Sequence, residues 1–542
     1  MKLRILMCVL AACIAASASA RAARHTDSAL DAVPTGLKPT TTHLSQILAL
    51  HKDDGALTTV IEDWAFTDTG VSGTEHLERS GENYRSRIVT GPISNAYGQL
   101  DGKRWHQDAN GITMTTSDID DISFTAIRVR EDAADPKNDV SVAGETSGAA
   151  PAYVLRVKRD GYRHPEWIYY DASTGDIVRV DYVAGKHRVS ERYDDFRTVD
   201  GVRQAWHVHD AYDDPTFDDD WHLTAFHGQS ASLPSTDFAP PPNAPHISTV
   251  ASGALLQGQI TDDGATIVRL TIGGRGVDFE LDSSAPKSYI DMGLADDLHL
   301  PDFGHARRLH DGTRLAFDTV LPDADAGPIH FHNLTLLATD VAYRPNPHTR
   351  VVGILGYDFF AANVLHVNYV NRTLEVLPAN RVVGEHPIAG ALELPLTLDN
   401  GVPYVPMMIG DAITKNVVLG SDLPYTMVFG PYLEAHASQF VTPNGQHPYV
   451  ASVPFADESS YGQKIHIYLT RTPTLRFANA DYSNLAIIGT NFPYDPYGRN
   501  VDAIIGLDYL SYFDLYFDFP HGRMFVQPNM WFYRTFNKDK HA

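Results

Sequence analysis

Two aspartates stand where an apolar strand gives way to a loop, a placement from which a carboxylate can do general acid–base work on a bound molecule. The first is Asp282, within IVRLTIGGRGVDFELDSSAPKSYID, residues 267–291. That segment reads as a strand, a Gly273-Gly274 turn, a second strand, a loop opening at Asp282-Ser283-Ser284, and a helix near Leu294 to Leu298. The second is Asp422, within Val417-Val418-Leu419-Gly420-Ser421-Asp422-Leu423-Pro424. Asp and Ser in such positions also cap helices, which is the plain alternative for both. Two histidine pairs, His207-Val208-His209 and His330-Phe331-His332, place imidazoles on one strand face where they could ligate a metal. Solvated strand histidines are the simpler reading, so no metal and no cofactor is assigned. The acidic stretch Asp213-Asp214 to Asp218-Asp219-Asp220 reads as a solvated loop, with calcium as the lesser reading. No phosphate-cradling Gly loop and no Gly-x-Ser-x-Gly elbow occurs.

The elements around these aspartates repeat. Gly353-Ile354-Leu355-Gly356-Tyr357-Asp358-Phe359-Phe360 answers to Ala503-Ile504-Ile505-Gly506-Leu507-Asp508-Tyr509-Leu510, and residues 363–378 answer to 513–528 at the same offset without a gap. Each copy is an apolar-apolar-Gly turn, a short helix and a strand-turn-strand. A repeat of that length implies two duplicated lobes, 247–380 and 390–531.

Taken together, Phe279-Glu280-Leu281-Asp282-Ser283-Ser284-Ala285 and the later Ile354-Leu355-Gly356 resemble the lobes of retropepsin/pepsin-like aspartic proteases, over roughly residues 260 to 530. The resemblance implies a mainly β fold of two tandem lobes, with a substrate cleft between them and one loop from each lobe at its centre. It implies hydrolysis of polypeptides by two carboxylates about 3 Å apart that share one proton, one as base on a water and one as acid on the carbonyl. The candidate catalytic residues are then Asp282 and Asp422, supported by Ser283, Ser284, Ser421, Gly356 and Gly506. The chain departs from the pattern twice. Ser284 stands where the family has glycine, and Gly420 stands where the second aspartate belongs. Two residues along a strand is about 7 Å, so on this reading Asp422 is a loop or capping carboxylate. The hydrolase reading requires it, or a carboxylate from a second molecule, to face Asp282. The alternatives are a protease-fold binding protein without catalysis and an envelope-assembly role. Gly312, Gly327 and the Tyr494–Gly498 turn are candidate loop tips over a cleft.

Upstream, Pro234 to Pro245 reads as a linker, assigned to 234–246. It follows an accessory module, 40–233, with a helix over Thr42 to Leu57 and short alternating strands. One is the hairpin Tyr169-Tyr170-Asp171-Ala172-Ser173-Thr174-Gly175 and onward. This α+β module with a curved antiparallel sheet is similar to the periplasmic lipoprotein-carrier fold. At the start, Met1-Lys2-Leu3-Arg4, an apolar run and Ala18-Ser19-Ala20 read as a signal peptide, 1–20. The reading is an exported protein, periplasmic or secreted. Leu10-Ala11-Ala12-Cys13 offers lipid anchoring as the lesser alternative. Both cysteines, Cys8 and Cys13, fall inside the signal, so no disulfide is expected. A net charge of -24 argues against nucleic acid as a partner and leaves a polypeptide as the expected one.

Overall fold

The computed structural model describes residues 32–50, 57–68, 71–115, 133–148, 150–159, 164–184, 187–303, 307–308, 314–379, 388, 390–440, 449–452, 466–478, 480–490 and 501–536. The signal peptide, Cys8, Cys13, Gly312 and Tyr494–Gly498 lie outside them.

Residues 59–229 form an open thirteen-stranded antiparallel sheet of two meanders, joined in the middle where Thr59–Asp68 pairs with Asp219–Gln229, with Thr113–Thr115 and Asp139–Glu145 at its edges. Alternating burial along Thr59–Asp68 gives this sheet one inner face. Ile47, fully buried on the helix Leu44–Leu48, packs there with Trp64, Leu155, Ile168 and Tyr170. The helix is shorter than the sequence suggests, ending in a cap at Ala49. The expected hairpin turns as read: Asp171 Oδ1 accepts the N–H groups of Ser173 and Thr174, and Gly175 takes φ 75°.

The proline-rich stretch is a packed strap rather than a loose spacer. Phe238 is fully buried, the Trp105 indole donates to Phe238 O, and Ala244 N donates to Gly111 O. The meander also grips the second half of the chain directly. Asn110 and Thr335 exchange two hydrogen bonds of 3.0 and 2.7 Å, and Ile112 and Met114 enter the apolar core of the C-terminal half.

That half is two copies of one plan. In the first, the hairpin Thr266–Ile272 and Arg275–Leu281 turns at Gly273-Gly274, both at positive φ. Arg275–Leu281 then runs parallel to Thr349–Leu355, with Leu281 beside Leu355. In the second, the hairpin Val402–Ile409 and Ala412–Leu419 leads to Ala503–Ile505, also parallel, with Leu419 beside Ile505. The sequence repeat itself forms the seam. Val364–Asn368 pairs with Phe513–Asp518, so the two repeated hairpins join in one six-stranded sheet. Mostly β, with two tandem retropepsin-like lobes after a curved-sheet module, the architecture is the expected one.

The two repeated glycines hold the aspartate loops from behind. Gly356 N donates to Ser288 Oγ and Gly506 N to Thr426 Oγ1, each at 3.0 Å. A side chain at either glycine would collide with backbone: a Cβ on Gly356 would lie 2.2 Å from Lys287 O, and one on Gly506 2.6 Å from the Tyr425 carbonyl carbon. Gly356→Ala and Gly506→Ala should each cost about 1–3 kcal/mol through forced backbone shifts, read as a lower urea midpoint at unchanged slope. An unchanged midpoint in both would contradict this packing.

Candidate functional site

Strand pairing ends at Leu281 and Leu419, and the loops that follow meet at the molecule's pseudo-twofold axis. Asp282 N donates to Leu355 O and Gly420 N to Ile505 O, both at 3.1 Å, so each loop leaves its strand in the same way. The next residues lock across. Ser283 N donates to Ser421 Oγ at 2.9 Å, and Ser421 N donates to Ser283 Oγ at 3.3 Å. Each hydroxyl then donates to the other half's strand end, Ser283 Oγ to Leu419 O and Ser421 Oγ to Leu281 O. Both serines are buried, so these bonds are formed away from competing water.

This clasp fixes the correspondence of the loops: Ser283 matches Ser421, Asp282 matches Gly420, and Ser284 matches Asp422. In the first loop the third residue reaches back to the first. Ser284 N and Oγ donate to Asp282 Oδ1 at 2.7 and 2.8 Å. In the second loop the first position carries no side chain, and a Cβ there would lie 2.7 Å from an Ile504 methyl. A third-position side chain in this loop therefore reaches the place left by the missing carboxylate. Asp422 is buried there, close enough to Asp282 for the Asp282 charge to raise it.

The 7 Å displacement expected from strand geometry does not occur. Strand repeat was extrapolated past Leu419, where the chain has already turned. Neither aspartate caps a helix. Asp291 caps Met292–Asp297 by accepting from Leu294 N, and Phe429 precedes Gly430–Ala435 without a side-chain cap. Asp422 lies in the loop, as read, and is buried near Asp282 rather than capping a helix.

Two residues that sequence reasoning passed over complete the cluster. Glu280 lies two residues before Asp282, buried on the same strand, and Tyr343 Oη donates to its Oε2 at 2.6 Å. Glu280 alternates with Val277, Phe279 and Leu281 as Asp278 does, the pattern of an ordinary outward position, and so gave little signal. Tyr343, distant in sequence, offered none. Burial pushes Glu280 up to about 8. Burial also raises Asp282, opposed by the Ser284 hydroxyl and N–H. Asp422 is raised well above the carboxylate range by burial, by the Asp282 charge and by Glu280. Of the two, Asp422 is the more strongly raised, while Asp282 has the Ser284 donors that favour its charged form.

A second tier sits behind the loops. Asp358 accepts from Ser288 N at 2.7 Å, and Asp508 accepts from Thr426 N and Oγ1 at 2.8 Å. Asp108 of the meander meets Asp358, and burial with that neighbouring charge raises Asp108 well above its ordinary range.

The remaining candidates lie apart. His207 hydrogen-bonds Asp194 and Asp220 and stacks on His222. Asp219 of the acidic stretch is buried, not solvated, and accepts from the Trp221 indole. Gly327 turns the hairpin of Arg314–Ala326 and Ile329–Thr339, and its near neighbours are Leu255 and Gln257 rather than the aspartate loops. Among the described residues, no helix is long and apolar enough to cross a membrane.

Residues 268–359 match the sequence model of a family described as aspartyl protease. No curated protein matches the chain significantly. Among solved structures, a retropepsin-like aspartic protease from Rickettsia conorii is similar at 14% identity, over 24% of this chain and 93% of that one, with TM-score 0.18. Conglutin gamma from lupine seeds is similar at 11% identity, over 51% and 95%, with TM-score 0.30. A LolA superfamily protein from Nitrosomonas europaea is similar at 10% identity, over 37% and 98%, with TM-score 0.30. Overlaps at this level carry no argument about function.

Buried carboxyls with raised values dominate the acid–base balance. Glu280, Glu191 and Asp219 are pushed up to about 8 and Glu62 to about 7, each chiefly by burial. An unfolded chain releases these protons near pH 4 to 4.5, so between there and about 8 the native state binds more of them. Their contribution to stability is therefore complete below pH 4 and is lost as pH rises to 8. The denaturation midpoint should fall from pH 5 to pH 8, and Glu280→Gln should flatten that slope. A midpoint that rises over this range would contradict the assignment.

Proposed function

We propose that the chain is an aspartic-type endopeptidase in which Asp282 and Asp422 form a shared-proton dyad, acting on polypeptides as an exported protein. The supporting observation is the burial of both carboxyls where the clasped loops meet, close enough for the Asp282 charge to raise Asp422. Asp282, holding the charge through Ser284, takes a proton from a water between the carboxyls and the substrate. Asp422, holding the proton, donates it toward the scissile carbonyl as the tetrahedral intermediate forms. Breakdown reverses the roles, and the leaving nitrogen takes a proton from the pair. The Ser283–Ser421 clasp keeps both carboxyls at one separation throughout, the preorganisation that such chemistry needs.

One observation favours a second reading, a protease-fold binding protein. The dyad is asymmetric, with its second carboxylate drawn from the third loop position and a serine where close backbone approach normally requires glycine.

Incubation of the signal-free chain with a denatured protein across pH 3 to 7 separates the two. Pepstatin-sensitive cleavage is expected, reduced about 10²- to 10⁴-fold in both Asp282→Asn and Asp422→Asn. No cleavage by the folded wild-type chain, with peptide binding kept in Asp282→Asn, would establish the binding reading instead. Ser284→Ala removes a donor that lowers Asp282, so the acid limb of the rate profile should move to higher pH. An unmoved limb would show that Asp282 is not the base.

A further inference from the structure

On the hairpin of Arg314–Ala326 and Ile329–Thr339, Asp323 faces His332 and Asp325 faces His330 across the strands. The two histidines flank Phe331, which is fully buried, so both imidazoles stand on the outer face. The hairpin is fixed on that edge. His330 N donates to Ser248 Oγ at 2.8 Å and His332 N to His246 O at 2.9 Å.

We infer that Asp323, His330 and His332 form a binding site for a divalent transition metal, Zn²⁺ in the first instance. One Asp323 oxygen lies 2.9 Å from His332 Nδ1 and 3.7 Å from His330 Nε2, and the three ligand atoms all lie within 4.8 Å of one another. Ligands of one tetrahedral zinc, bound at about 2.0–2.2 Å, stand about 3.3 Å apart, which these separations bracket. The outer nitrogens are already engaged. His330 Nδ1 pairs with Asp325 Oδ1 at 2.9 Å, and His332 Nε2 lies 2.9 Å from the Asn333 amide. Each imidazole therefore has one nitrogen oriented by a partner and the other turned toward Asp323, the arrangement by which second partners aim metal-binding histidines. With Nδ1–H donated to Asp325, the His330 Nε2 lone pair points at the site. As the side chain stands, the Asn333 amide N–H donates to His332 Nε2; turning the amide over, so that its oxygen accepts from Nε2–H, frees His332 Nδ1 to bind as well. Two imidazoles and one carboxylate select zinc, nickel or copper over calcium and magnesium. The bound ion would clip the hairpin across its strands near the Gly327 turn. His207 and His209 also address one oxygen, that of Asp220, but among the described residues only Asp323, His330 and His332 bring three ligand atoms within 4.8 Å of one another.

Calorimetric Zn²⁺ titration of the tag-free, signal-free chain at neutral pH tests this, with Co²⁺ absorption as the coordination readout. One equivalent should bind, with a tetrahedral Co²⁺ spectrum and a raised melting temperature. Binding should vanish in Asp323→Ala and in His332→Ala, weaken about 10-fold in Asp325→Ala, and persist in the His207→Ala/His209→Ala double variant. Asp323, Asp325, His330 and His332 are exposed and His207 and His209 half-buried, so circular dichroism should show the variants folded. Zinc binding unchanged in His330→Ala/His332→Ala, or none at 100-fold excess of ion, would overturn the site.

Discussion

The reciprocal clasp of Ser283 and Ser421 is the interaction on which the rest depends. Four hydrogen bonds, two backbone-to-hydroxyl and two hydroxyl-to-carbonyl, tie each aspartate loop to the strand end of the other half. Being buried and mutually satisfied, they cannot be broken singly without leaving an orphaned polar group. They bring two like-charged carboxyls together, an arrangement that would otherwise repel. The six-stranded seam and the glycine turns at 356 and 506 serve the same end, since they set the distance at which the loops meet.

The clasp also explains how one half can lack the first-position aspartate and still present a carboxyl. Once Ser421 is pinned, the directions of its neighbours are set. Gly420 points into Ile504 and has no room for a side chain, while Asp422 points where Ser284 points in the first half, toward the carboxyl of Asp282. The asymmetry divides the roles electrostatically. Asp282 has Ser284 donors to stabilise its charge, whereas Asp422 has burial and two neighbouring acids to hold its proton. Glu280, tethered to Tyr343, is a third buried acid of the cluster, and its charge adds to that of Asp282 in raising Asp422.

Much of the fold was legible because its signals are local. The apolar-apolar-Gly elements, the Gly273-Gly274 hairpin and the Asp171 to Gly175 turn depend on residues close in sequence. The duplicated lobes followed from a repeat that the structure uses as the seam itself. The second loop was not legible for a physical reason. The closing motifs repeat at one offset, but Ser283 and Ser421 are 138 residues apart, so the halves differ in length between loop and closing turn. Only the cross-loop hydrogen bonds reveal where Asp422 goes. Strand periodicity ends with the last ladder bond and says nothing about the turn beyond. Tyr343 and Asp108 were invisible for a related reason, since each reaches its partner through tertiary packing alone.

The central claim, that Asp282 and Asp422 titrate as one unit, is tested most directly by ¹³C NMR titration of the chain labelled at aspartate carboxyls. The account predicts two well-separated steps for these residues, the upper one far above the usual aspartate range. The upper step should move down in Asp282→Asn, since the Asp282 charge adds to burial in holding the Asp422 proton. Two independent titrations near pH 4, each unaffected by replacing the other residue, would contradict it.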